Sequence, residues 1–573
     1  MMKKSICKLY LRKLLFFLMF LSVHSVHSQN AIPIPDTLSG PVYNLDMHPD
    51  SVQFLPGVKT FTNAFNQYSY LGPTLIMHKG DMINLNVQNL LDDTTTVHWH
   101  GLHVPAMADG GPHTFFLSGT TWSPMFTVMN NAATYWYHPH LHMKTGQQAM
   151  RGAAGMIIVR DSMESTLNLP RQYGVDDFPI IVQTQQFDSA NQILWRGMHD
   201  STIFVNGTQD PMLSVPAQIV RFRMLNASQE RNYNFGFTGN MPFQVIGNDG
   251  GLLTAPVQVT RLRLSPGERV EILLDLNGMT GQQFYLMSYA SEFPTGIQGG
   301  TPMPSMNTAM YSPINGIDFN ILQLNVTPPT INPVTTIPSS LVSFTPLDEA
   351  NMNDFRNIII STQNMMSPDG PFYFNGQMFD MERIDYRIPI NNIEVWSLSN
   401  QSMVAHPFHI HDVQFFVLDR NGIPAQPYEA GFKDVVLVGP NESVRFITKF
   451  EDFADTTMPY MYHCHVLMHE DDGMMGQFVV VPNTTNIPEM SKGELFSFYP
   501  SPVSGTLNIT LNNGDGGEII ITDVLGKDIW NEKLSSQQKS IHLNTGAWKS
   551  GVYFITLRKG EQSETQKLLV QHD

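Results

Sequence analysis

Four histidine pairs, each with a single residue between its members, constrain this 573-residue chain more than any other feature. They are His98-Trp99-His100, His138-Pro139-His140, His409-Ile410-His411 and His463-Cys464-His465. On a β-strand, side chains two apart project from one face and the residue between them from the other. Each pair, read as a strand, therefore offers two imidazoles to one cavity. Two pairs lie early in the chain and two late, so a fold that uses them together must bring distant β segments face to face.

Eight imidazoles are too many for a single zinc site, which takes four ligands or fewer. They suit three copper ions, two with three imidazoles each and one with two plus solvent. The same alternation turns Cys464 away from His463 and His465, so its thiolate must serve a different metal. His406 precedes the third pair, and His469 and Met474 follow Cys464. Two imidazoles, a thiolate and a thioether form the ligand set of a blue copper electron-transfer site. Cys464 then joins the two sites by a few bonds, from its sulfur through the backbone to His463 or His465.

Cysteine usage and the N-terminus point to export. Lys3, Lys4, Lys8, Arg12 and Lys13 precede an apolar run from Leu14 to Val23 and a small-residue site at Ser28. This is the anatomy of a signal peptide over residues 1–28. The run is shorter than the roughly 20 residues a membrane span needs, so no transmembrane anchor is expected. Cys7 leaves with that segment, and Cys464 alone can form no internal disulfide. Bonding to a metal gives a lone thiol in an oxidising compartment a purpose.

The chain is long enough for several cores. Charged residues make up 14%, against about 25% in typical soluble proteins, while 42 Gly and 38 Pro supply turns, so the fold class is all-β. Short alternating strands such as Met82–Val87, Gly155–Val159, Ile219–Leu225 and Val270–Leu274 divide the chain into domains at 29–165, 170–328 and 345–482. A Pro-, Thr- and Ser-rich linker from Thr327 to Pro346 separates the last two. A module at 494–573 shows strands at Glu518–Thr522, Asp528–Trp530, Val552–Leu557 and Lys567–Val570 but no ligand cluster. The formal charge of −17 has no offsetting basic stretch beyond the first residues, which excludes a grip on nucleic acid. A monomer is expected.

The stretches His98-Trp99-His100-Gly101, His138-Pro139-His140, His406-Pro407-Phe408-His409-Ile410-His411 and His463-Cys464-His465-Val466-Leu467-Met468-His469-Glu470-Asp471-Asp472-Gly473-Met474 resemble the four copper motifs of the multicopper oxidase family. The resemblance spans Ala31 to Pro482 with no ligand position missing. It implies three cupredoxin-like Greek-key β-sandwich domains, with a trinuclear cluster between the first and third. It also implies four coppers per chain. The type 1 copper takes His406, Cys464, His469 and Met474, and the type 2 copper takes His98 and His409. The paired type 3 coppers take His100, His138 and His465 on one side and His140, His411 and His463 on the other. The implied reaction removes single electrons from a small reducing substrate at the type 1 copper and reduces dioxygen to water at the cluster.

Asp109-Gly110-Gly111-Pro112, Lys144-Thr145-Gly146-Gln147 and His469-Glu470-Asp471-Asp472-Gly473-Met474-Met475 look most like bacterial laccase-like enzymes and periplasmic cuprous oxidases. A phenol or aromatic amine is the first expectation for substrate and Cu(I) the second, because the long methionine-rich insert of the cuprous oxidases is lacking. Met303, Met306, Met310, Met365 and Met366 are soft candidates for holding Cu(I) or ordinary core filler. A copper-binding or storage protein without turnover is the alternative from another class. By the same resemblance Asp434 falls where an acid near the type 1 copper helps hold substrate, and Asp109 and Glu470 fall where acids deliver protons. Phe498-Tyr499-Pro500-Ser501-Pro502, Ile521-Thr522-Asp523-Val524-Leu525-Gly526-Lys527 and Gly551-Val552-Tyr553-Phe554 resemble the C-terminal sorting domain of type IX secretion substrates. That resemblance implies a periplasmic, cell-surface or extracellular destination.

Overall fold

The computed structural model describes residues 29–302, 311–363, 370–483, 495–511, 516–560 and 562–572. The expected signal segment and the five methionines named above lie outside the described residues. The chain divides into two compact units, Met1–Pro482 and Asn483–Asp573.

Among the described residues the first unit holds six sheets that stack as three sandwiches. In the first, the order Thr37–Ser39, Thr74–His78, Gly155–Arg160, Ala133–His138, His98–His100 faces a sheet that contains Thr60–Phe65, Val42–Val52 and Met82–Asn89. Seven- and six-stranded sheets form the second sandwich, six- and five-stranded sheets the third. Outer strands alternate as sequence patterning demands: Val42–Val52 runs exposed, buried, exposed, buried over its first half. Ala133–His138, Asp177–Gln185 and Ile219–Asn226 are instead buried along their whole length. Their second faces are covered by a neighbouring sandwich, and the first of them carries His138. Each sandwich has its own apolar core, around Trp99 and Tyr137, Phe222 and Leu274, and Trp396 and Phe446 respectively.

Two boundaries differ from the sequence reading. Asn30–Ala31 pairs in parallel with Pro211–Met212, so the start of the expected first domain completes a sheet of the second. The expected linker Thr327–Pro346 forms no strand beyond Thr327, but it is packed down. Val334, Ile337, Leu341 and Val342 lie on the second core, and the Val334 carbonyl accepts from the Ile219 N–H at 2.9 Å. Its composition signals the missing hydrogen-bonded register, whereas its spaced apolar residues supply the burial.

The second unit is a small sandwich of three and four strands around Phe496, Leu507, Ile519, Ile521, Ile555 and Leu568. The four strands expected there occur within Gly517–Asp523, Asp528–Leu534, Gly551–Lys559 and Gln562–Val570. Among the described residues no helix is long and apolar enough to cross a membrane.

Candidate metal centre

Strand register places the late ligands. His406–Ile410 runs antiparallel to Tyr460–Cys464, with Phe408 opposite Cys464 and His409 opposite His463. Even-numbered residues of the first strand therefore share a face with Cys464, and His409 shares the other face with His463. His406 joins Cys464 inside the third sandwich, while His409 and His411 turn toward the first. There His138 lies opposite His98, and Trp136 opposite His100.

Three imidazoles, His463 within its strand and His140 and His411 just beyond the ends of theirs, converge on a point. The Nε2 atoms of His140 and His463 are 3.1 Å apart, and those of His411 and His140 3.2 Å. The His411 and His463 Nε2 atoms are 3.3 Å apart. Two of the Nδ1 atoms are engaged elsewhere, His411 with Asp109 Oδ2 at 2.8 Å and His463 with the Cys464 carbonyl at 3.1 Å, while His140 Nδ1 makes no hydrogen bond and lies 3.4 Å from Glu470. Neutral rings with the proton on Nδ1 present three Nε2 lone pairs to one another, an arrangement that a cation satisfies and hydrogen bonds cannot. His100, His138 and His465 form a second trio, with His100 Nδ1 3.3 Å from His138 Nε2. His98 and His409 complete the set. Each donates Nδ1 to a backbone carbonyl, that of Asp109 at 2.9 Å and of Asp434 at 2.8 Å. Their Nε2 atoms are buried with no hydrogen-bond partner, which suits two ligands awaiting one metal.

The thiol site lies on the other face of the same strand. Cys464 Sγ is 3.5 Å from both His406 Nδ1 and His469 Nδ1. Met474 is buried in the same core, and its carbonyl accepts from the Cys464 N–H at 3.1 Å. The Phe372 ring covers both imidazoles at 4.6 and 4.5 Å, and Ser402 Oγ meets His406 Nε2 at 2.9 Å. Burial pushes the Cys464 thiol well above its ordinary range. It depresses the imidazoles of His140, His465 and His469 to about 3, with neighbouring histidines adding to the effect at His140 and His465. Neutral imidazoles and a thiol that needs a cation to ionise are the state of a soft metal site before loading. The donor set fits copper.

Three carboxylates touch the cluster. Asp109 reaches His411 and comes within 3.4 Å of His98 Nδ1. Glu470, on the short helix Leu467–Asp471, lies 3.4 Å from His140 Nδ1 and 3.3 Å from His463 Nδ1. Burial alone would raise Glu470, but His140 and His463 hold it below the usual carboxylate range. Asp434 does not occupy the place expected for it. It is fully buried, and its oxygens are taken up by Arg269 and by His100 at 3.2 Å, so it faces the histidine cluster and has no oxygen free for a substrate. Ser402, Phe372 and Arg269 were not anticipated. The arginine left a trace in the sequence, as one of several basic residues set into strands that otherwise read as core.

Family models described as multicopper oxidase match residues 47–164, 178–307 and 345–484, one for each sandwich. The chain belongs to the multicopper oxidase family. A multicopper oxidase from Staphylococcus haemolyticus is 32% identical over 447 residues, covering 76% of this chain and 88% of its own length. The cell division protein FtsP of Photorhabdus laumondii is 30% identical, covering 80% of this chain and 94% of its own. Among solved structures, a laccase-like multicopper oxidase from Ochrobactrum sp. superposes with a TM-score of 0.69 at 31% identity, covering 78% of this chain and all of that one. A secretion system C-terminal sorting domain model matches residues 497–571, which marks this multicopper oxidase for export.

Proposed function

We propose that this multicopper oxidase holds four coppers and couples one-electron oxidation of a phenol or aromatic amine to reduction of dioxygen to water. The observation that carries the reading is the position of Cys464. Its sulfur lies between His406 and His469, while its chain neighbours His463 and His465 each enter a different imidazole trio. A protein that only stored copper would gain nothing from a thiolate strung between two sites. Bound copper would supply the one-electron redox chemistry. Cys464 then conducts through its own backbone, His98 and His409 orient toward a shared ligand, Asp109 holds His411 Nδ1, Glu470 lies beside the Nδ1 atoms of His140 and His463, and both acids pass protons. The relationship to FtsP raises a role without turnover, against which the filled ligand set argues. Oxygen consumption with a reducing dye separates the two.

For the substrate, the partner at His406 Nε2 is the neutral hydroxyl of Ser402. A neutral hydroxyl in that position offers Cu(I) neither a thioether nor a charge, so this contact favours an organic reductant. The Ochrobactrum enzyme, described as active toward lignin model compounds, agrees with that choice. Turnover of a phenolic dye by copper-loaded protein is expected to proceed without added Cu(II) and to change less than about twofold on its addition. Activity that appears only with added Cu(II) would move the assignment to cuprous oxidation.

The C-terminal unit is expected to act as a removable address. Deleting residues 483–573 should abolish export while the cytoplasmically produced remainder, loaded with copper, retains oxidase activity within about twofold. A truncated protein that folds but has lost activity would give the unit a catalytic role instead.

A further inference from the structure

The middle sandwich supplies none of the imidazole trios, yet one of its segments abuts them. This segment is the turn Pro266-Gly267 and the head of the strand Arg269–Asp275. Arg269 is buried, and all five of its N–H groups have acceptors. Nε donates to the Thr134 carbonyl of the first sandwich at 3.2 Å. Nη1 donates to the Gly267 carbonyl at 3.0 Å and to Asp434 Oδ1 at 2.6 Å. Nη2 donates to the Asp249 carbonyl at 3.0 Å and to Asp434 Oδ2 at 2.5 Å. One guanidinium thus bonds to all three sandwiches, and its fork geometry fixes the plane of the Asp434 carboxylate.

That plane matters because Asp434 handles two of the cluster's imidazoles. Its Oδ1 lies 3.2 Å from His100 Nε2, and its carbonyl accepts from His409 Nδ1 at 2.8 Å. A proton on His100 Nε2 leaves Nδ1 as the free lone pair, and Nδ1 is the atom that faces His138. Two glycines make the approach possible. A Cβ on Gly101 would come within 2.5 Å of Asp434 Oδ2 and 2.7 Å of Arg269 Nη2. A Cβ on Gly267 would lie 2.8 Å from the His465 ring, so the turn itself backs a third imidazole.

We propose that Arg269 is a positioning residue for the trinuclear cluster: through Asp434 it sets the tautomer and orientation of His100 and His409. The middle sandwich thereby takes part in dioxygen chemistry without supplying a ligand. The proposal rests on the four-copper reading above. A purely architectural role, joining three sandwiches, would instead weaken the whole fold and both copper sites alike.

The test compares wild type with Arg269→Gln, Arg269→Lys and Asp434→Asn by copper analysis, blue absorbance, electron paramagnetic resonance and melting of the copper-free protein. Wild type must first show four coppers with separate blue and non-blue signals; otherwise the copper reading fails, not this one. Arg269→Gln should keep the blue absorbance while affinity for the non-blue copper falls about 10- to 100-fold and its hyperfine pattern shifts. Substrate should still reduce the blue site at the wild-type rate, and reoxidation by dioxygen should slow by at least about tenfold. Asp434→Asn should reproduce the pattern. Arg269→Lys keeps the charge but not the fork and should lie between, which also carries the test if the glutamine variant does not fold. Wild-type copper content and hyperfine pattern in Arg269→Gln would overturn the proposal, as would blue and non-blue sites lost in equal measure alongside a lowered melting temperature.

Discussion

Cys464→Ser is expected to lose the intense blue absorption and to reduce oxidase turnover to background, while the imidazole trios still load copper. The sulfur lies 3.5 Å from each of two imidazoles in a site closed by Phe372, and no other described thiol exists to replace it. Only a thiolate gives the strong charge-transfer colour, and a serine hydroxyl in the same place neither ionises nor binds a soft cation well. His463 and His465 keep their backbone because serine preserves the strand and its pairing with Phe408. Copper content should therefore fall by one ion from the wild-type value. A blue colour that persists in this variant would refute the assignment of Cys464.

Much of the site was legible because strand alternation converts sequence spacing directly into facing. The His-x-His pairs, the opposed Cys464 and the separation of His406 from His409 by an odd step follow from period-two geometry alone. The pairing of particular histidines into trios did not follow from it. His140 meets His411 and His463 only because two sandwiches pack face to face, and that packing depends on side chains hundreds of residues apart. Asp434 shows the same limit. Its position was noted for a carboxylate, but what it touches is decided by Arg269, a residue of another sandwich whose strand reads as core apart from its charge. Composition misled in one place: the Pro- and Thr-rich stretch after Thr327 looks like a free linker until the burial of Val334, Ile337 and Leu341 is seen.

Glu470→Gln and Asp109→Asn are expected to retain copper and the blue colour but to slow reoxidation by dioxygen about 100-fold, with reduction by substrate little changed. Reducing dioxygen to water consumes protons, and the imidazoles that surround the cluster are sealed from solvent. The two acids flank it from different elements. Asp109 sits against His98 and His411, and Glu470 against His140 and His463. Each also has a carboxylate oxygen that makes no hydrogen bond, Oδ1 of Asp109 and both oxygens of Glu470, which is where water can hand over a proton. An amide accepts hydrogen bonds in the same place but cannot carry the proton, and a positioned acid or base is worth about 10²- to 10⁴-fold. The competing role is to orient imidazoles, as carboxylates beside metal-bound histidines commonly do. Copper analysis and single-turnover reoxidation distinguish the two: lost copper in either variant would support orientation, and an unchanged reoxidation rate would remove that residue from proton delivery.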